Sequence, residues 1–290
     1  MTLGNRDLIF VTGPARSGTL MLQGLICNHP AVARPLAECF YLTGLIHAYE
    51  HARRIFDIHT YDYFADRGAL MLFHRDRVLQ PYLDHLAEAA GPGLVVQKSP
   101  ELLVLARELA ELFPGAPIIV TVRDLRDIVA SQATRMAAKG EKIDGEAVCR
   151  QALDGLGRVA AVAGLLPDQV TFVRYEALAH RPERTLGRAF RALGLAPPDR
   201  PALAWDHQRD PQRNESWSIL DGRPPAPTSV GRHTESEPAL VRTAEARARE
   251  LEATTAVPGL WEADDPRPDV FGIRRTADGT LVREPVGDAS

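Results

Sequence analysis

The segment Gly13-Pro14-Ala15-Arg16-Ser17-Gly18-Thr19-Leu20 follows directly on the apolar run Leu8-Ile9-Phe10-Val11 and leads into a helical pattern through Met21, Leu22, Leu25 and Ile26. A strand, a glycine turn and a helix in that order aim free backbone N–H groups and the positive helix end at one point, where a phosphate or sulfate can sit. The spacing G-x-x-x-x-G is that of a Walker A loop, but a nucleoside-triphosphatase needs Lys next for the phosphates and then Ser or Thr for magnesium. This chain has Thr19 and Leu20 there, and a leucine cannot coordinate magnesium. The cation has moved inside the loop, to Arg16, which favours a phosphorylated donor handled without a metal.

A second anion site lies in Val122-Arg123-Asp124-Leu125-Arg126-Asp127-Ile128-Val129-Ala130-Ser131. Arg123 ends an apolar run and Ser131 stands two turns into the helix that follows. An arginine fork with a hydroxyl suits a terminal phosphate monoester. Arg135, one turn beyond Ser131 on the same helix face, can add a second charge.

These residues need a frame. Short continuous apolar runs recur at Leu8-Val11, Leu94-Val96, Ile118-Val122 and Val170-Val173, the pattern of strands buried on both faces of a parallel sheet. Helical spacing fills the intervals: Leu102, Leu105, Leu109 and Leu112 predict a helix over 101–113, and Leu125, Ile128 and Val129 one capped by Asp124. Alternating strand and helix means parallel crossovers, hence an α/β doubly wound, mainly parallel sheet with helices on both faces. Ligands in such sheets bind beyond the carboxyl ends of the strands. Residues 1–290 are expected to form one domain, with a proline-rich loop or lid at about 197–237 and a C-terminal hairpin at about 270–286 around Asp278-Gly279.

Composition narrows the partners. With 45% hydrophobic and 25% charged residues and a net charge of −4, the chain has no global pull toward nucleic acid or an anionic membrane. No segment is long and apolar enough for a bilayer, and none resembles a signal peptide. Cys27, Cys39 and Cys149 are widely spaced, which fits a reducing cytoplasm better than a disulfide framework or a metal knuckle. Lysine occurs only at 98, 139 and 142 in an arginine-rich chain, which singles out Lys98 at the end of an apolar run.

Taken together, Arg16-Ser17-Gly18-Thr19 and Arg123 with Ser131 resemble the two nucleotide motifs of the superfamily of sulfotransferases that use 3'-phosphoadenosine-5'-phosphosulfate (PAPS). The likeness continues through Gln97-Lys98-Ser99-Pro100, Leu112-Phe113-Pro114-Gly115-Ala116 and Val173-Arg174-Tyr175-Glu176-Ala177-Leu178. It covers roughly residues 7 to 195 and, with the R-S-G-T loop and His29-Pro30, is nearer to the bacterial and tyrosylprotein sulfotransferase branch than to the cytosolic aryl enzymes.

That resemblance implies a P-loop-like sulfotransferase architecture, PAPS as co-substrate with 3'-phosphoadenosine-5'-phosphate (PAP) as product, no metal, and sulfuryl transfer to a hydroxyl or amine of a small-molecule acceptor. It implies that Arg16, Ser17, Gly18, Thr19 and Leu20 hold the 5' end, and that Arg123, Ser131 and Arg135 hold the 3'-phosphate. Tyr175 would touch the adenine, and Arg232, in Gly231-Arg232-His233, would belong to a loop closing on the nucleotide. Arg16 and Lys98 are then the cations near the leaving oxygen and Glu38 the base, with a histidine as the other option.

His47, His51, His59, His74 and His85, with Phe40, Tyr41, Tyr49, Phe56, Tyr61, Tyr63 and Phe64, mark about 38–90 as the segment shaping the acceptor pocket. Two rival readings stay open. One is a small-molecule kinase, which Leu20 opposes. The other is a nucleotide-binding module without turnover, which Leu20 and a one-residue shift of Glu38 relative to His29-Pro30 support. Neither nucleic acid nor membrane is expected as partner; a homodimer is left open.

Overall fold

The computed structural model describes residues 3–167, 169–203, 225–236, 238–254 and 269–287. The four apolar runs form strands β1 (Leu8–Thr12), β2 (Val95–Lys98), β3 (Ile118–Val122) and β4 (Val170–Arg174). Every residue of β1, β2 and β3 is buried, which is why these runs read as continuously apolar rather than alternating. The strands pair in parallel in the order β2-β1-β3-β4. Two further strands, β5 (Val270–Arg275) and β6 (Leu281–Pro285), extend the sheet antiparallel from β4 as a hairpin, with Gly279 at φ +87° in its turn.

Because side chains alternate across a strand, each one feeds two cores. Leu8 and Phe10 point to one face, against helices α2 (Phe40–Arg54), α4 (Gln80–Ala90), α5 (Ala106–Leu112), α6 (Leu125–Ala138) and α7 (Gly145–Leu165). Ile9 and Val11 point to the other, against α1 (Thr19–Cys27), α8 (Tyr175–His180) and α9 (Pro182–Ala192). Helices α3 (Arg67–Phe73) and α10 (Pro238–Thr254) complete the first layer. The architecture is therefore the doubly wound α/β sheet with helices on both faces. None of its described helices is long and apolar enough to cross a membrane.

One expected element is divided. Instead of a single helix over 101–113, a 3-10 turn at Pro100–Leu103 precedes α5. Leu102, Leu103, Leu105 and Ala106 are all buried across the junction. Pro100, which has no N–H to donate, opens the 3-10 turn, and Ser99 Oγ accepts the Glu101 N–H at its start. The expected lid at 197–237 falls largely on residues 204–224, outside the described ones.

Candidate active site

The loop after β1 is braced against β3 and the end of β2. Gly13 lies at φ +152° against Thr121, Ser17 Oγ lies 2.5 Å from Thr121 Oγ1, and Thr12 Oγ1 donates to Ser99 O at 2.8 Å. Gly18 at φ +97° precedes α1 as its N-cap, and no side chain caps the helix. A methyl at Gly18 would run into Cδ2 of the Tyr175 ring. Its lack of a side chain therefore lets the loop lie flat on that ring. Arg16, also left-handed at φ 71°, turns its guanidinium across to the next site: Nε donates to Ser131 Oγ at 3.1 Å. Thr19 is buried, and Leu20 is half-buried on the first turn of α1.

Arg123 follows β3, whose Val120 is in register with Thr12, so its backbone starts beside the loop. Its Nη1 donates to Arg16 O at 3.0 Å, and its guanidinium lies 4.2 Å from the centroid of the Tyr175 ring. Tyr175 is only 7% exposed and already carries Gly18 and Arg123 against its ring. Asp124 caps α6 as expected, its Oδ1 accepting from Arg126 N. Ser131 and Arg135 follow at four-residue steps on this helix, both half-buried.

Three residues near this site were not singled out from sequence. Glu176 accepts the Asp124 N–H at 2.9 Å and so ties the turn after β4 to the turn after β3. Burial raises its carboxyl above the usual range, against the opposing pull of Arg174 and Arg123. Asp127 lies 3.9 Å from Arg123 Nη2 and accepts from Gly231 N, His233 N and, at 2.8 Å, His233 Nδ1. His233 was read only as part of its loop. The signal for Asp127 was its four-residue step between Arg123 and Ser131. Arg232 itself is exposed.

On the opposite side of β1, Lys98 ends β2 in register with Val11. It is 1% exposed, and its Nζ lies 2.5 Å from Glu38 Oε1. Glu38 precedes α2 and keeps its carboxylate 15% exposed, so it stands between the buried ammonium and solvent. Beyond it, Phe40 and Tyr41 are exposed, and Tyr41 packs on Tyr82 at 5.3 Å. Of the five histidines in this segment, four are exposed; His74 is buried beside Tyr49, and burial lowers its pKa. The three cysteines are buried free thiols, those of Cys27 and Cys39 pushed up to about 12 by burial, which makes them poor nucleophiles. Among the described residues no cluster of three or more His, Cys, Asp or Glu could hold a metal.

The sheet order β2-β1-β3 therefore puts a Glu38–Lys98 pair on one flank of the loop after β1 and Arg123, Arg16 and Ser131 on the other.

Known proteins share both sequence and fold with this chain. The chain is 26% identical over 217 residues to the nodulation protein NoeE of Sinorhizobium fredii, an alignment covering 66% of this chain and 50% of that protein. It thus spans about half the length of that curated relative. Its fold resembles the sulfotransferase domain of the olefin synthase of Synechococcus PCC 7002, with a TM-score of 0.51 and 18% identity over 83% of this chain and 94% of the other. It also resembles a sulfotransferase from Alicyclobacillus acidocaldarius, with a TM-score of 0.50 and 16% identity over 87% and 96%. Residues 7–199 match the Sulfotransferase family as a whole, a stretch that holds both flanks of the site, and the chain belongs to that family.

Proposed function

We propose that this protein transfers a sulfuryl group from PAPS to a hydroxyl or amine of a small-molecule acceptor. The observation that carries the reading is the pairing of two different groupings across one loop: a buried ammonium with a carboxylate toward solvent, and a second cluster of cations with a hydroxyl. The second cluster suits a phosphate monoester, because Arg123, Arg16 and Ser131 converge while Tyr175 supports the guanidinium. Ser17, Gly18 and Thr19, at the uncapped start of α1, suit the other phosphate through backbone N–H groups. Arg135 adds charge from the next turn, and Leu20 stands where a magnesium ligand would be needed for a kinase.

When bound, the donor supplies an activated sulfuryl group whose bond to the 5'-phosphate oxygen breaks as the acceptor oxygen or nitrogen attacks. Glu38 takes the acceptor proton at its carboxylate, and Lys98 keeps that carboxylate in place while two of its three N–H donors remain for developing charge. Phe40 and Tyr41, just beyond Glu38, give an acceptor a flat apolar wall.

The test is incubation with PAPS and a panel of phenols, alcohols and amines, read by mass spectrometry for the sulfuryl gain and for release of PAP. Transfer from PAPS without added metal supports the reading. Transfer of phosphate from ATP with magnesium would replace it with the kinase, and PAP binding without any turnover on the panel would favour the inactive module.

A further inference from the structure

Asp127 is the wrong charge for its place. It is 1% exposed, one helical turn from Arg123 and one from Ser131, between two of the groups read above as an anion site. A buried carboxylate there weakens any anion site by Coulomb repulsion, so its presence calls for an offsetting role. Its hydrogen bonds identify one. Oδ2 accepts from Gly231 N at 2.8 Å; Oδ1 accepts from His233 N at 3.1 Å and from His233 Nδ1 at 2.8 Å. These donors flank Arg232 on both sides. Gly231 lies at φ +75° and starts the 3-10 turn Arg232–Glu235, which Thr234 Oγ1 closes on Gly231 O. The contacts join α6 to a turn more than a hundred residues away in sequence.

We infer that Asp127 is the positioning residue that pins the 231–235 turn against the 3'-phosphate side of the site, so that Arg232 is delivered to the nucleotide by α6 rather than by its own loop. The inference rests on the donor reading above. Its sign separates it from simple electrostatics. Deleting a carboxylate 3.9 Å from Arg123 would by charge alone tighten an anion site, whereas release of the turn weakens it.

The experiment has two arms. Hydrogen exchange on the ligand-free protein follows the Gly231 and His233 amides in wild type, Asp127→Ala and the near-isosteric Asp127→Asn. The amides of Ile119 and Val120 in β3 report that each variant is folded. The expected result is exchange at least about tenfold faster at 231 and 233 in the Ala variant, with β3 unchanged. Calorimetry with PAP then compares wild type, Asp127→Ala, Arg232→Ala and the double variant. Each single change should weaken PAP by about tenfold or more, and the double should be no weaker than Asp127→Ala, because Arg232 is already lost to the site.

Unchanged exchange at 231 and 233, tighter PAP binding in Asp127→Ala, or fully additive losses would each overturn the inference. If wild type fails to bind PAP at all, the donor reading falls, while the exchange arm still decides whether Asp127 pins the turn. Should Asp127→Ala not fold, Asp127→Asn carries both arms, since its amide group cannot accept from Gly231 N and His233 Nδ1 together as the carboxylate does.

Discussion

Lys98 and Glu38 meet from segments sixty positions apart, and each makes sense only beside the other. A lysine ammonium at 1% exposure is expensive without a partner, and the Glu38 carboxylate bonded to it offsets that cost. Glu38→Gln keeps a hydrogen-bond acceptor for Lys98 but removes the proton acceptor. PAP affinity is therefore expected to stay near wild type, while turnover falls by roughly 10²- to 10⁴-fold, the usual worth of a general base. Single-turnover transfer alongside calorimetry checks it, and near-normal turnover would move the base to another group. At Gly18 the demand is steric. With φ at +97° and the Tyr175 ring against its α-carbon, Gly18→Ala is expected to cost about 1–3 kcal/mol in urea unfolding and to abolish PAP binding. Adding Tyr175→Ala would relieve the clash but not the backbone strain, so stability should return only in part.

Elements place these residues, and here the sequence was informative to different depths. The four parallel strands were legible because burial on both faces leaves an unbroken apolar run. The cap at Asp124 was legible because an N-cap is a local device. The split of the 101–113 helix was not, because the leucine spacing by itself fits one continuous helix. Asp127 and Glu176 were passed over for a related reason: what they do lies in bonds to backbone N–H groups that are distant in sequence, and no side-chain pattern records such a partner.

Glu176 supports a prediction at this scale. Burial lifts its folded-state pKa above the unfolded value, so its contribution is fully present below the unfolded pKa and is lost as pH rises through the folded one. Glu176→Gln keeps an oxygen for the Asp124 N–H but does not ionise. The variant should therefore gain stability relative to wild type as pH rises from below 4.5 toward neutral, read from urea midpoints at a series of pH values. A constant offset across that range would mean that the carboxyl is not desolvated in the folded protein.

For the molecule as a whole, residues 7–199 carry the family match, yet the sheet does not end there. Phe271 of β5 is 1% exposed, pairs in register with Phe172 of β4 and stacks on its ring at 5.4 Å; Val270 and Ile273 are buried on the same strand. Asp269, just before β5, is bonded to Arg181 at 2.6 Å and gives its carbonyl to Arg174 N. From the other side, Glu245 of α10 lies 3.3 Å from Arg126, next to the turn that carries Arg123. Among the described residues after 199, the β5–β6 hairpin therefore closes an edge of the sheet and α10 braces the turn after β3. A chain cut at 199 would leave β4 as an unpaired, largely apolar edge strand and would lose the acceptor for the Arg174 N–H, the condition under which sheets pair with one another. Such a truncation is expected to aggregate or to lack a cooperative thermal transition, whereas Phe271→Ala in the full chain should fold with a loss of about 3–5 kcal/mol. Light scattering and thermal melts of the two proteins separate the cases. A soluble 1–199 fragment with a sharp transition and PAP affinity near wild type would show that the hairpin is an appendage to the site rather than part of its frame.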